Sequence, residues 1–219
     1  MTKPAWFITG TDTEIGKTFI ACALLHALRK QGLQAIGMKP VAAGFNAEGK
    51  NEDVERLIAA SAYQAPRELI NPYALRAAVA PHIAAAEEGI HIELPRIVSA
   101  FEQLQTSADA VLVEGVGGFC VPLSSTCDTA DLAVVLNLPV ILVVGMRLGC
   151  LNHAQLTQEA IRARGLKLAG WVANRIDPEM SHFNENLRAL DAYINAPLLG
   201  VVPYGRTSEQ AALTLYLSA

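Results

Sequence analysis

Lys17 and Thr18 end the run Gly10-Thr11-Asp12-Thr13-Glu14-Ile15-Gly16-Lys17-Thr18, which joins an apolar strand-like stretch to a helical one. That context is what a phosphate-binding loop requires: successive main-chain amides share one concavity and the first turn of the helix adds its positive end. Amides of Glu14, Ile15, Gly16, Lys17, Thr18 and Phe19 fall in this stretch. Lys17 supplies a mobile full charge for phosphate oxygens, and the hydroxyl of Thr18 is placed to bind Mg²⁺. Counted back from Gly16-Lys17-Thr18, the usual first-glycine place holds Thr11, and Gly10 comes one residue early, so the loop is a deviant form of the motif.

A second chemical group ends another apolar run. In Ala110-Val111-Leu112-Val113-Glu114 the acid emerges at the carboxyl end of a strand, followed by Gly115, Val116, Gly117 and Gly118. Glu114 there is a candidate Mg²⁺ ligand, and the glycines let main chain approach a triphosphate closely. Lys39 follows a third strand-like run, and Asp53 follows the Gly/Asn-rich stretch from Ala43 to Asn51. The competing reading of Asp53 is a helix N-cap or first-turn acid, and that of Lys39 a solvated strand end.

Positioning these groups on one edge requires an α/β fold with a mostly parallel sheet flanked by helices on both faces. Strand-like runs at Trp6–Thr9, Gln34–Met38, Ala110–Val113, Val140–Val144, Gly170–Ala173 and Leu198–Val202 alternate with helical spacing at Thr18–Lys30, Asp53–Ala62, Pro95–Gln105, Asn152–Arg164 and His182–Ile194. Gly32 and Gly165 mark two helix ends, and Ala77–Ala86 reads as helix with a start at Pro81. Loops that follow parallel strands are where such sheets hold ligands. One domain over residues 1–219 is expected, since 52% hydrophobic content supports a substantial core.

A net charge of -4 gives no broad cationic surface for nucleic acid. The N-terminal stretch has no basic region leading into a long apolar segment, and no apolar run reaches bilayer-spanning length. Cys22, Cys120, Cys127 and Cys150 form no CxxC pair. A cytoplasmic chain with reduced thiols and no membrane attachment is expected.

The phosphate loop, together with Met38-Lys39-Pro40-Val41-Ala42-Ala43-Gly44, Val113-Glu114-Gly115-Val116-Gly117-Gly118 and Leu148-Gly149-Cys150-Leu151-Asn152-His153-Ala154, resembles the dethiobiotin synthetase family. Asn71-Pro72-Tyr73, Pro81-His82 and Gly170-Trp171-Val172-Ala173-Asn174 extend the resemblance over nearly the whole chain. It implies a P-loop NTPase-like fold and ATP-, Mg²⁺- and CO₂-dependent closure of a cyclic urea on 7,8-diaminononanoate. One amine carries CO₂ (or bicarbonate-derived carbon) as a carbamate, its oxygen attacks the γ-phosphate, and the second amine closes the ring.

By the same resemblance Lys17 and Lys39 neutralise charge, Thr13 donates to the carbamate, Glu14 lies near the reacting amine, and Thr18, Asp53 and Glu114 form the magnesium set. Asn174, Arg175, Pro203, Tyr204 and Gly205 surround the base, with Glu209 a ribose contact. Gly149, Cys150, Leu151 and Asn152 are implied to hold the substrate carboxylate from a neighbouring subunit, hence a homodimer. Ala43 stands where the family generally has serine, so one hydroxyl toward substrate is absent. Asn174-Arg175-Ile176-Asp177 has the Asn-x-x-Asp spacing of GTP-binding proteins, which leaves base selectivity open at this point. The rival classes are a related amide-forming ligase acting on another substrate, and a nucleotide-switched positioning ATPase, whose early signature lysine is replaced here by Asp12.

Overall fold

The computed structural model describes residues 3–217, so the expected domain span of 1–219 runs past the described residues at both ends. In chain order the elements are β1 (Ala5–Gly10), α1 (Lys17–Lys30), β2 (Ala35–Met38), β3 (Val41–Ala43), α2 (Glu52–Ala60), α3 (Arg67–Ile70), β4 (Tyr73–Leu75), α4 (Pro81–Glu87) and α5 (Leu94–Ser107). They continue with β5 (Ala110–Glu114), α6 (Thr129–Leu136), β6 (Val140–Gly145), α7 (Cys150–Ala163), β7 (Leu168–Asn174), α8 (Phe183–Tyr193), β8 (Leu198–Val202) and α9 (Ser208–Ala211).

Six strands form one parallel sheet in the order β2-β5-β1-β6-β7-β8. The chain leaves central β1 for the β2 edge, later inserts β5 between them, and then builds outward from the other side of β1. This reversal beside β1 opens a crevice at the carboxyl ends of the strands, where α/β sheets take ligands. The register carries the carboxyl ends of these strands to one rim, with Ile8 opposite Glu114 and Met38 opposite Val113.

Alternation along each strand divides the core. Phe7, Val111 and Val113 face a cluster completed by α4, α5 and α6, whereas Ile8, Leu112, Ile141 and Val143 face α1, part of α2, and α9. Leu142, Val144, Trp171 and Ala173 pack against α7 and α8. Both faces are therefore covered, and central β1 and β5 are apolar apart from Thr9 and the strand-ending Glu114 because neither face meets water.

The helix start read at Pro81 is where α4 begins, because a residue before proline is driven out of the helical region; Ala80 accordingly sits at φ -56°, ψ 137°, and Ala77–Val79 precede the helix. A second, two-stranded parallel sheet of β3 and β4 was not foreseen. Its three-residue strands are too short to show a period, and their pairing is non-local.

Candidate active site at the carboxyl edge of the sheet

The loop between β1 and α1 turns through Glu14 (φ 58°) and Gly16 (φ 82°), both left-handed. Gly16 is the N-cap of α1 and a Cβ there would lie 2.4 Å from Asn174 Nδ2. Neither an N-cap side chain nor a first-turn acid covers the start of α1, so its amides remain electropositive. Asn174, at the end of β7, donates from Nδ2 to the Ile15 carbonyl at 2.8 Å and so fixes the loop from outside.

Lys17 lies beneath the loop, its Nζ donating to the Asp12 carbonyl at 2.7 Å. Burial, and after it the charge of Lys39, lowers its pKa to about 8, against the opposing pull of Glu114, Asp53 and Asp12. Thr18 Oγ1 donates to Glu114 Oε1 at 2.7 Å. Lys39 bonds the same Glu114 oxygen and also reaches Asp53 Oδ2 at 3.2 Å. Burial works against the charged form of Lys39, but Glu114 and Asp53 outweigh it and hold its pKa above the ordinary value. Burial likewise opposes the Asp53 carboxylate, yet Lys39 holds its pKa below the usual range.

These groups line one cavity of about 740 Å³ with Thr13, Glu14, Gly16, Phe19, Ala43, Val116 and Gly117. Sequence reasoning did not identify Asn51, Arg56, Ala78, Val79, Ala80, Pro81 and Val121, which also line it. Arg56 carried a usable signal, being one helical turn from Asp53 on α2. Ala78 to Pro81 were concealed by the helical reading of that segment. Ile15 is instead buried in the core, and Gly115 is packed beneath the ring of Phe7.

A second hollow of about 230 Å³ is lined by Phe19, Asn174, Arg175, Ile176, Pro203, Tyr204, Gly205 and Arg206. The expected base contacts thus meet at one place, separated from the larger cavity by Phe19. Asp177 does not line it; its Oδ1 accepts from the Glu179 amide at 2.9 Å, a local turn that engages the acid a guanine would need. Glu209 lines a neighbouring hollow of about 380 Å³, where its carboxylate lies 3.5 Å from His26 Nε2.

Gly149, Cys150, Leu151 and Asn152 are not brought to the chain's own cavity. Gly149 is a left-handed N-cap (φ 96°) on α7, which, like α1, begins without a side-chain cap or an early acid. Leu148 beside it is 96% exposed, and Arg147 ties the loop back to Asp12 through an ion pair.

Thr18, Asp53 and Glu114 fit a hard divalent cation by donor chemistry. All three offer oxygen, Thr18 gives its proton to Glu114 and keeps its lone pairs, and Glu114 Oε2 is buried with no partner. All four cysteines are free, and burial pushes Cys22 up to about 12, leaving it an inert thiol. Among the described residues no helix is long and apolar enough to cross a membrane.

A family model described as an AAA domain matches residues 5–212. The chain is 62% identical over 223 residues to a protein of Aromatoleum aromaticum named ATP-dependent dethiobiotin synthetase BioD, covering 99% of each. Proteins of the same name from Ralstonia nicotianae (56% identity, 90% of this chain and 87% of the relative) and Nitrosospira multiformis (53%, 97% and 93%) also match. Among solved structures, MinD of Aquifex aeolicus superposes with a TM-score of 0.58 at 15% identity, covering 95% of this chain and 86% of that one. A ParA family ATPase of Chlorobium tepidum gives 0.58 at 14%, covering 96% and 89%. At such identities these two likenesses concern the P-loop fold alone.

Proposed function

The chain belongs to the ATP-dependent dethiobiotin synthetases, and we propose that it closes its product ring in the cavity between the phosphate loop, Lys39 and Glu114. It is an ATP-dependent ligase of biotin synthesis. The observation that carries the site assignment is the convergence of Lys17, Thr18, Lys39, Asp53 and Glu114, from four separate parts of the chain, on one cleft.

The reaction divides into three steps. One amine of 7,8-diaminononanoate adds to CO₂, losing a proton and becoming a carbamate. A carbamate oxygen then attacks the γ-phosphorus, and ADP leaves with the electrons of the broken P–O bond. Finally the second amine attacks the carbonyl carbon, phosphate departs, and the amine proton is lost as the cyclic urea forms.

Each step creates or moves negative charge without needing a protein nucleophile, so positioning and charge neutralisation dominate. Amides of residues 14–18 and the ammonium of Lys17 hold the triphosphate. Lys39 faces the carbamate and the transferred phosphoryl group, Thr13 donates to the carbamate, and Glu14 lies toward the reacting amine. Thr18, Asp53 and Glu114 would hold Mg²⁺, which supplies positive charge to the phosphate oxygens as they separate.

The apolar wall of Ala78, Val79 and Val121 suits the methylene chain of the diamine. By the family resemblance Gly149 to Asn152, which do not line this cavity, serve a neighbouring subunit's substrate carboxylate in a homodimer with shared sites. Adenine occupies the hollow beyond Phe19, consistent with the withdrawal of Asp177 from it.

Incubation with diaminononanoate, [¹³C]bicarbonate, Mg²⁺ and ATP is expected to yield labelled cyclic urea in equal amount to ADP and phosphate. Lys17→Ala should lower kcat/KM by about 10²- to 10³-fold. Phosphate released with no labelled product would instead point to a ligase acting on another substrate.

A further inference from the structure

Lys39 stands where a cation would serve two carboxylates at once. Its Nζ bonds Glu114 Oε1 and lies 3.2 Å from Asp53 Oδ2, and its side chain and that of Glu114 are 5% and 0% exposed. Thr18 donates to the same Glu114 oxygen at 2.7 Å. The ammonium is therefore held by two of the three residues whose oxygens fit a divalent cation, in a place nearly closed to water. A dication and an ammonium within the same few ångströms repel strongly where screening by water is weak. Shared occupancy of these oxygens is correspondingly disfavoured.

We propose that Lys39 is an internal counter-cation for Asp53 and Glu114 that exchanges with the divalent cation, so that metal binding releases its ammonium into the substrate cavity. This rests on the assignment of Thr18, Asp53 and Glu114 as metal ligands. Before exchange, the lysine neutralises two acids that would otherwise repel each other, Glu114 buried and Asp53 at the cavity's open side with its side chain 41% exposed. After exchange, the same charge is available to the carbamate and the γ-phosphate on the adjoining wall. Two consequences follow. Free protein binds divalent cations weakly because the lysine competes, and the cation enters with the nucleotide, whose phosphates repay the loss of the lysine's ion pairs.

The test uses Mn²⁺ as probe, followed by its EPR signal on nucleotide-free full-length protein. Lys39→Met is expected to bind Mn²⁺ about tenfold or more tightly than wild type, the change expected from removing one charged hydrogen bond from competition. Adding Glu114→Gln to this variant should abolish the gain. Equal Mn²⁺ affinity in wild type and a folded Lys39→Met variant would overturn the exchange.

Removing one partner of a buried pair endangers folding, so a second readout uses wild type alone. Acetic anhydride labelling of Lys39, followed by peptide mass, should quicken several-fold at saturating Mn²⁺, and an unchanged rate would contradict the proposal. Loss of the metal-site reading itself has a different signature: wild-type Mn²⁺–nucleotide binding would be unaffected by Asp53→Asn and Glu114→Gln.

Discussion

Lys17 gives up most of its water shell beneath the phosphate loop, and this sets an upper pH limit on nucleotide capture. With its pKa lowered to about 8 from 10.5, the free protein carries the ammonium below pH 8 and loses it above. Phosphate selects the charged form, so the Kd for ATP should stay level up to pH 8 and then weaken, approaching tenfold per pH unit. Isothermal titration at pH 7.5, 8.5 and 9.5 checks this, and a Kd that does not change across the series would contradict it. Folding responds in the opposite sense. The unfolded lysine keeps its proton to 10.5 and the folded one releases it near 8, so between these values the unfolded state binds more protons and this residue's contribution to stability rises with pH. Ala43 lines the cavity at the place where the family resemblance implies a serine hydroxyl; Ala43→Ser should lower the diamine KM by no more than about tenfold, the worth of one hydrogen bond. An inactive wild type that serine rescues would make that hydroxyl indispensable. Lys39 and Asp53 were singled out by the family resemblance, whereas Lys17, Thr18 and Glu114 were legible as lining residues from their places after strand ends. Arg56 and Val79 were not, since their place on the cavity wall depends on how α2 and the segment before Pro81 pack against the loop.

The phosphate loop acts as an element whose shape depends on left-handed residues. Gly16→Ala would force a side chain into φ 82° and within 2.4 Å of Asn174 Nδ2. We expect a loss of about 1–3 kcal/mol in stability together with loss of ATP binding, read by denaturant titration and calorimetry. Normal stability with normal binding would mean that the loop adopts another path. α6 offers a contrast away from the site: Asp128 and Asp131 form a capping box, and both acids pair with Arg164. Asp128→Ala should cost about 1 kcal/mol in stability and leave kcat unchanged. α1, β8 and most other long elements were legible from apolar periodicity and from glycine stops at Gly32 and Gly165. Short elements were not. α3, β3 and β4 have three or four residues each, fewer than one full repeat, and β3 exists because β4 lies beside it.

At the scale of the whole molecule, strand order brings the site together and leaves one piece outside. The parallel α/β class was evident from alternating apolar runs, but the order β2-β5-β1-β6-β7-β8 needed the structure, because local pattern does not state which strand pairs with which. The exposed Leu148 and the uncapped start of α7 lie apart from the chain's own cavity, and the proposed shared site would place them against a second copy. If the proposed dimer forms through this face, wild type should sediment as a dimer and Leu148→Asp as a monomer with a diamine KM raised at least about tenfold. A fully active monomer would remove the shared site. The central claim is where the triphosphate sits, and a crystal structure with Mg²⁺, a non-hydrolysable ATP analogue and diaminononanoate tests it most directly. The phosphates should lie against the amides of residues 14–18 and Lys17, with the metal on Thr18, Asp53 and Glu114 and the diamine along Val79. A nucleotide bound elsewhere, leaving Lys17 on the Asp12 carbonyl and Lys39 on Glu114, would contradict it.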